Sequence, residues 1–253
     1  MSFTKKLSDA AVIYDGPSLI DGSAIIVIAT YSNRNRKTGG VLQTYILVRD
    51  TDPRDANKHG LDFSICGNCP HRGTPAHMPT GDPSKTLANR RSCYVVIGQG
   101  PLLAWRAYQR GNVYGRADNH ETIAALGSGR TVRLGTYGDP AAVPSYIWES
   151  LISDAASHVG YTHQAGIQSA DVRPDLCMTS ADTLADAQQA WTRGERTFRV
   201  VSSYNDLTSN EIACPADTRG IQCADCRLCG GTSVPSPKSI AIVVHGNGAR
   251  HFV

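Results

Sequence analysis

The amino-acid sequence predicts an α/β fold whose sheet is largely parallel and forms a small or irregular β/α barrel. From Thr131 onward, short β-branched runs alternate with amphipathic helical patterns, as in right-handed βαβ units. Apolar runs before residue 50 bring the predicted strands to about eight or nine, which is enough for a small barrel. An open doubly wound sheet is the alternative arrangement.

Each predicted element has a local signal. Apolar, β-branched runs predict strands at 10–14, 24–31 and 41–48. A short strand at 92–98 is expected before a helix that begins at Pro101 and ends at Gly111. The remaining strands are predicted at 131–138, 158–164, 176–180, 197–202, 211–215 and 239–246, with helices at 143–158 and 182–191.

The composition is that of an ordinary globular chain. Its 253 residues are 41% hydrophobic and 19% charged, so a single domain over 1–253 can bury a full core. No run of about 18 apolar residues occurs, and no apolar stretch follows the basic residues near the N-terminus. We therefore expect no membrane span, no signal peptide and a cytoplasmic location, where cysteines stay reduced and metal ligation is favoured over disulfides.

The densest chemical signal is the C-terminal cysteine cluster, within 211–232. Three of its cysteines are spaced C-x-x-C-x-x-C, and two-residue gaps let neighbouring thiolates turn toward one metal centre. A disulfide pair or unrelated thiols are the alternatives. The candidate metal ligands of this cluster are Cys214, Cys223, Cys226 and Cys229.

A second cysteine group involves a predicted insertion at 51–92 that is rich in Pro, Gly, Asp, Asn and Lys. Two of its cysteines lie within the insertion and the third, Cys93, directly follows it. A metal would fix the backbone of such a segment. Its fourth ligand stays open between His71, Cys177 and an external group, and Cys177 alone fits a buried core thiol. The candidate ligands are Cys66, Cys69 and Cys93. For both groups, the spacing leaves zinc and an iron–sulfur cluster open.

Polar residues follow the predicted parallel strands, and active sites of β/α folds lie at that edge. The candidate catalytic residues are Asp139, His163 and Asp182. Asp139 would act as base or nucleophile and His163 as acid or orienting group. The structural alternatives are helix N-caps for the two aspartates and a hydrogen-bonded core histidine for His163.

Basic residues in polar segments are candidate contacts to nucleic-acid phosphates. For those in the polar loop at 32–40, a solvated loop is the alternative. The net charge of +3 permits an acidic partner without requiring one. The candidates are Arg34, Arg36, Arg72, Arg90, Arg91 and Arg106.

The chain resembles an uncharacterised cysteine-rich family encoded by phages and bacteria. The resemblance covers about residue 10 to the end and implies an intracellular role in nucleic-acid metabolism or modification. It rests on S-I-C-G-N-C-P-H-R, S-C-Y-V-V-I-G-Q-G-P, V-R-L-G-T-Y-G-D-P-A-A-V-P, G-Y-T-H-Q, T-F-R-V-V, C-P-A-D and C-A-D-C-R-L-C-G-G.

A looser resemblance is to the tRNA-guanine transglycosylases and their DNA 7-deazaguanine-modifying relatives. It implies a β/α barrel, with Asp139 placed like an active-site aspartate. It also implies zinc ligands at Cys223, Cys226, Cys229 and His245. The chain departs from that family because the Asp-Ser-Gly-Gly-Phe-Gln stretch is missing and the Cys66 group is added. The likeness is therefore an analogy of fold.

Three functional hypotheses follow. The first is an intracellular metalloprotein enzyme that acts on a nucleic-acid base or nucleotide, with base modification or exchange of the transglycosylase type as its reaction. The second is a nucleic-acid-binding protein whose metals only shape loops. The third is an iron–sulfur redox protein. No G-x-G-x-x-G follows a strand and no Walker loop occurs, so the sequence gives no support for a nucleotide cofactor.

Overall fold

The computed structural model describes residues 9–32, 38–75, 88–167 and 171–252. Two candidate phosphate contacts, Arg34 and Arg36, lie outside these ranges. Within them the chain forms a mixed α/β architecture of ten strands and eight α-helices. The strands are β1 (Ala10–Pro17), β2 (Ala24–Ser32), β3 (Val41–Val48), β4 (Gly115–Arg116), β5 (Thr131–Tyr137), β6 (Ser157–Thr162), β7 (Met178–Ala181), β8 (Thr197–Val201), β9 (Glu211–Ala213) and β10 (Ser239–Val243). The helices are α1 (Pro53–His59), α2 (Phe63–Cys66), α3 (Gly100–Gln109), α4 (His120–Gly127), α5 (Ser145–Ile152), α6 (Leu184–Thr192), α7 (Pro215–Thr218) and α8 (Cys223–Cys226).

All ten strands belong to one sheet, in the order β4-β1-β2-β3-β5-β6-β7-β8-β10-β9. The neighbours β1–β2 and β2–β3 are antiparallel, and the other seven pairings are parallel. The predicted largely parallel α/β sheet is therefore confirmed. Closure into a barrel is not, because β4 and β9 end the order and no pairing joins them in the part of the chain described.

The two faces of the central strands have different roles, because successive side chains of a strand point to opposite faces. On β5, Val132 and Leu134 are fully buried in the main apolar core, with Trp148 and Leu151 of α5. Arg133, between them in sequence, faces a cavity on the other side of the sheet. The helix-covered face thus supplies the core, and the opposite face supplies the site.

Two predicted elements differ from the structure. The predicted strand at 92–98 is absent, because the Arg91 side chain donates hydrogen bonds to the carbonyls of Cys93 and Val95, which a strand would use for pairing. The helix predicted to reach residue 158 ends at Ile152. There the chain turns so that Ser157 can pair with Thr131 of β5. In the first place side-chain hydrogen bonds, and in the second place pairing with a distant strand, override the strand or helix preference of the local sequence.

The predicted insertion lies over the carboxyl edge of the sheet and is more ordered than its composition indicates. It contains α1 and α2, and Ile65 is 1% exposed within the main core. The backbone N–H of Asp139, just after β5, donates to the Ile65 carbonyl. Burial of Ile65 and this backbone hydrogen bond therefore help to hold the first part of the segment against the sheet.

Candidate functional site

A cavity of about 210 Å³ runs along the face of the sheet opposite the helices. Alternate side chains of the parallel strands line it, and the insertion and the C-terminal cysteine cluster border it at different places. Its strand residues include Arg133, Tyr137, Tyr161, Ser180, Phe198, Val200 and Ile242. The three predicted catalytic residues, Asp139, His163 and Asp182, all line this one cavity.

The carboxyl ends of β5, β6 and β7 place these three residues together, because parallel strands present the same end at one edge. Asp139 is 6% exposed, and its Oδ1 accepts from the Ala141 N–H at 3.0 Å. It is therefore a helix N-cap, which was the alternative to a catalytic role in the sequence analysis. Its Oδ2 accepts from the backbone N–H of His163 at 2.8 Å. Burial raises the pKa of Asp139 above its ordinary value, although these hydrogen bonds act in the opposite direction. Asp139 thus fixes the backbone from which the His163 side chain projects.

Asp182 is not a helix cap, which corrects the structural alternative for this residue. Thr183 caps α6 through a capping box with Asp186. The Oδ1 atom of Asp182 is instead 3.0 Å from Nε2 of His71 and 3.3 Å from Nε2 of His163. Since the cap is supplied elsewhere, the Asp182 carboxylate is available to the two histidines.

His71, His163 and Asp182 form the only group of three His, Cys, Asp or Glu residues in the described ranges whose ligand atoms all lie within 4.8 Å of one another. We call this group the His-His-Asp site. The second ring nitrogen of His71, Nδ1, lies 2.8 Å from the hydroxyl of Ser92. A hydrogen bond to the far nitrogen fixes the orientation of a ligating imidazole. Two imidazole nitrogens and a carboxylate oxygen are a donor set that suits zinc or ferrous iron.

The electrostatic environment of the His-His-Asp site favours the ionised form of Asp182 and the protonated form of His163. Burial raises the pKa of Asp182, but its hydrogen bonds to His163 and His71 outweigh burial and hold the pKa well below its usual range. Burial lowers the pKa of His163, whereas Cys69 and Asp182 raise it more, so the net pKa lies well above its ordinary value. The carboxylate therefore stays ionised, and the site attracts a cation, either a proton on His163 or a metal ion.

The cysteines of the insertion border the same end of the cavity. The Cys69 sulfur lies 4.0 Å from Nε2 of His163, the same atom that faces Asp182. Burial raises the pKa of the Cys66 thiol well above its ordinary value, and Cys69 and Cys93 add to that effect. No three of the eight thiol sulfurs, all within the described ranges, lie within 4.8 Å of one another. A shared centre for Cys66, Cys69 and Cys93 stays a prediction.

The C-terminal cysteine cluster packs on β6 and β10 at a different part of the cavity. The Cys229 carbonyl accepts from the Gly160 N–H at 3.1 Å, and Tyr161 hydrogen-bonds to the Cys229 thiol. Burial raises the pKa of Cys229 to about 12, and the neighbouring Cys214, Cys223 and Cys226 add to the shift. Four thiolates on one zinc lie about 3.8 Å apart, given zinc–sulfur bonds of about 2.3 Å. The four cysteines are neighbours without that close spacing, so their common centre also stays a prediction.

Cys177 is a core thiol, as its apolar surroundings predict. It is 2% exposed, packs in the main core and does not line the cavity. His71, the other fourth ligand considered for the insertion, belongs to the His-His-Asp site.

The four candidate phosphate contacts within the described ranges fall into two groups. Arg72 is paired with Asp62, which is 2% exposed, and Arg91 donates to two backbone carbonyls. Both line the cavity, but their hydrogen bonds are internal. Arg90 and Arg106 are exposed and do not line it. The structure therefore does not bring these four described candidates into one surface, and Arg34 and Arg36 lie outside the described residues.

Sequence reasoning missed Arg133 and its aromatic neighbours. The Arg133 guanidinium carbon lies 5.8 Å from the Tyr94 ring centroid and 5.9 Å from that of Tyr161, and an Arg133 nitrogen donates to the Tyr94 hydroxyl. Its Nε atom is buried without a hydrogen-bond partner, as is the Tyr137 hydroxyl. An arginine within an apolar strand, in T-V-R-L-G-T-Y, was the available sequence signal.

The fold and site define a mixed α/β protein with a group that could hold a metal at the carboxyl edge of a mostly parallel sheet. No family model, curated protein or solved structure matches the chain. The two family resemblances therefore remain expectations from sequence. In the described ranges, no helix is both long and apolar enough to cross a membrane.

Proposed function

We propose that the protein is a metal-dependent enzyme that acts on a nucleic-acid base or nucleotide. His71, His163 and Asp182 would hold one divalent transition-metal ion. The observation that carries this proposal is the convergence of Nε2 of His71 and Nε2 of His163 on Oδ1 of Asp182, at 3.0 and 3.3 Å. A Cys-His-Asp catalytic triad would need the thiol and the carboxylate on different imidazole nitrogens. Here both lie closest to Nε2 of His163, which supports a common metal position.

The protein residues have separable roles in this proposal. Ser92 orients His71 through Nδ1, and Asp139 orients His163 through its backbone N–H. Three protein ligands leave a coordination position for substrate, and Cys69, 4.0 Å from Nε2 of His163, borders it. A divalent ion there would supply a Lewis acid that polarises a substrate oxygen.

The size and lining of the cavity favour a small planar molecule as substrate rather than a nucleic-acid duplex. It holds about 210 Å³, and aromatic rings of Tyr94, Tyr161 and Phe198 line it. Aromatic side chains bind nucleobases by stacking. The internal hydrogen bonds of Arg72 and Arg91 leave them poorly suited to track a phosphate backbone. A free base or nucleotide is therefore the substrate class that we favour.

The C-terminal cysteine cluster supports a second proposal, a further metal centre beside the His-His-Asp site. We propose that Cys214, Cys223, Cys226 and Cys229 hold zinc or an iron–sulfur cluster. The supporting observation is that the other three cysteines all raise the pKa of the buried Cys229 thiol. The C-x-x-C-x-x-C spacing is compatible with either group.

Metal binding and turnover test the main proposal. Anaerobically purified protein is compared with His71→Ala, Asp182→Asn and the control His120→Ala, whose histidine hydrogen-bonds Ser150 at 2.9 Å outside the site. We expect the first two variants to lose one metal equivalent and the control to lose none. Bases, nucleosides and nucleotides are then screened by mass spectrometry, and we expect turnover that a chelator and Asp182→Asn abolish. Full metal content in both site variants would refute the proposal.

A further inference from the structure

The middle of the cavity contains two buried polar groups that lack partners. They are Nε of Arg133 and the hydroxyl of Tyr137, the only such side-chain atoms in the described ranges. Tyr137 is 4% exposed, and both side chains line the cavity. Leaving a buried donor unsatisfied costs free energy, so each such group in a folded protein calls for an explanation. Two unsatisfied donors facing one cavity indicate an acceptor that enters it.

The strand that carries these two groups is deformed where they lie. Along β5, Arg133 pairs with Gln43, whereas Tyr137 pairs with Tyr45, so two extra residues of β5 bulge between these pairs. Gly135 has φ of +65° in the bulge, and a Cβ there would lie 2.5 Å from the Gly138 carbonyl oxygen. Bulges beside active sites commonly re-aim side chains. The bulge places both Arg133 and Tyr137 at the cavity wall.

The charge of Arg133 also has no carboxylate partner among the described residues. Burial lowers the pKa of Arg133, but Tyr94, Tyr161 and Cys223 raise it more, so Arg133 stays a cation. No carboxylate in the described ranges forms an ion pair with Arg133. Arg133 as a whole is only partly buried, but its buried Nε is a donor that an anion entering the cavity would satisfy.

We propose that Arg133 and Tyr137 form an anion subsite for an aromatic molecule that carries one acidic group. The acidic group, a phosphate monoester or a carboxylate, accepts from Nε of Arg133. The aromatic body lies along Tyr94, Tyr161 and Phe198, whose rings line the same cavity. This inference rests on the proposed function because it specifies the substrate class of that cavity. Among bases and nucleotides, it selects nucleoside monophosphates or carboxylated rings over neutral nucleosides.

Calorimetry on the full-length, metal-replete protein tests the subsite. The probes are the four common ribonucleoside 5′-monophosphates, the corresponding nucleosides, benzoate and inorganic phosphate. We expect at least one monophosphate or benzoate to bind about 10- to 100-fold more tightly than the neutral nucleosides, the factor typical of a hydrogen bond to a charged group. Binding confined to the monophosphates assigns a phosphate, and binding confined to benzoate assigns a carboxylate. Equal affinity for neutral nucleosides, no binding of any anion, or inorganic phosphate bound as tightly as the monophosphates would overturn the subsite.

Two variants separate ligand binding from folding. Tyr137→Phe removes an unpartnered hydroxyl, so the thermal midpoint of the unliganded protein should be unchanged or higher while anion affinity falls. A lower midpoint with unchanged affinity would mean that the hydroxyl is structural. Arg133→Gln should remove the preference for anions, and the control Arg110→Gln, at an exposed arginine that does not line the cavity, should keep it.

A competing role for Arg133 is to balance thiolates of the C-terminal cysteine cluster, since Cys223 influences its pKa. In that case Arg133→Gln would release metal from the cluster and leave anion binding intact, which would refute the subsite. The His71→Ala protein keeps the proposals distinct. It should still bind the anion after losing its metal equivalent, so failure of the metal site and failure of the subsite give different results.

Discussion

The side chain of Asp139 accepts a hydrogen bond from the backbone N–H of His163 at 2.8 Å, which links the ends of β5 and β6 beneath the His-His-Asp site. Its other oxygen accepts from the Ala141 N–H. Both carboxylate oxygens are thus occupied by backbone donors. This arrangement fits a positioning residue, whereas a general base needs an oxygen that faces the substrate.

Asp139→Asn should weaken metal binding about 10- to 100-fold, because an amide can accept only one of these two hydrogen bonds and the His163 backbone then shifts. Titration of the metal-free protein with zinc or ferrous iron measures this affinity. Asp118→Asn, at an exposed carboxylate, is the control and should bind as the wild type does. Lost turnover with unchanged metal affinity would instead restore Asp139 as a catalytic base.

Cys226→Ser should remove the metal or cluster of the C-terminal cysteine cluster, because three thiolates cannot replace four. Metal analysis and the visible spectrum of anaerobically purified protein measure the loss, and an iron–sulfur cluster would give a brown colour. Cys177→Ala is the matched control, since Cys177 is a buried thiol of the core. It should keep full metal content. Unchanged metal in the Cys226 variant contradicts a shared centre.

Cys69→Ser should release one metal equivalent and make the 51–92 segment sensitive to protease, if Cys66, Cys69 and Cys93 share a centre. Limited proteolysis with mass spectrometry locates the cleavage. The polar contacts of Asn57 with Asp62 at 2.6 Å and with the Arg72 carbonyl at 2.9 Å should persist and protect the first part of the segment. Unaltered metal content and cleavage would mean that these thiols are only neighbours.

Arg72→Met should destabilise the fold by about 3–5 kcal/mol, because it leaves the carboxylate of Asp62 buried without its cation. Chemical denaturation measures the change, and Arg106→Met, on an exposed face of α3, should change stability by less than about 0.5 kcal/mol. Normal stability together with reduced nucleic-acid affinity would support the sequence-based interpretation of Arg72 as a phosphate contact.

Glu211 of β9 forms an ion pair with Arg199 of β8, and β10 lies between these two strands in the sheet. The two side chains are 0% and 8% exposed. Burial raises the pKa of Glu211, but hydrogen bonds from Arg199 and Thr208 outweigh it, so the net pKa is below its ordinary value. A lowered folded-state pKa stabilises the protein above the unfolded pKa of about 4.3, and this contribution is lost as the pH falls through the folded-state value.

Glu211→Gln should therefore destabilise the protein at pH 7 by about 3–5 kcal/mol, since Arg199 stays buried without a counter-charge. It should also flatten the loss of stability below about pH 4.3. Denaturation midpoints across pH measure both effects. Glu149→Gln removes an exposed pair with Arg173 and should change stability by less than about 1 kcal/mol. A pH profile identical to that of the wild type would disprove this role for Glu211.

The sequence by itself determined the strand pattern and the edge at which the site lies. Short β-branched runs that alternate with amphipathic helical patterns identified β5 to β10, because strand and helix preferences are local properties of the chain. The common direction of parallel strands then placed Asp139, His163 and Asp182 at one edge. Cys177 was assigned to the core from its apolar neighbours alone.

Only the tertiary structure decided which partners those residues meet. His71 lies on the insertion, far from Asp182 in sequence, and no local periodicity encodes how a Gly- and Pro-rich segment docks. The lack of a hydrogen-bond partner for Nε of Arg133 likewise depends on which side chains surround it, and a sequence does not list spatial neighbours. Spacing in the chain could group cysteines, but the distances among their sulfurs follow from packing over the whole sheet. Local patterns set the elements and their direction, whereas long-range packing sets the contacts that make the site.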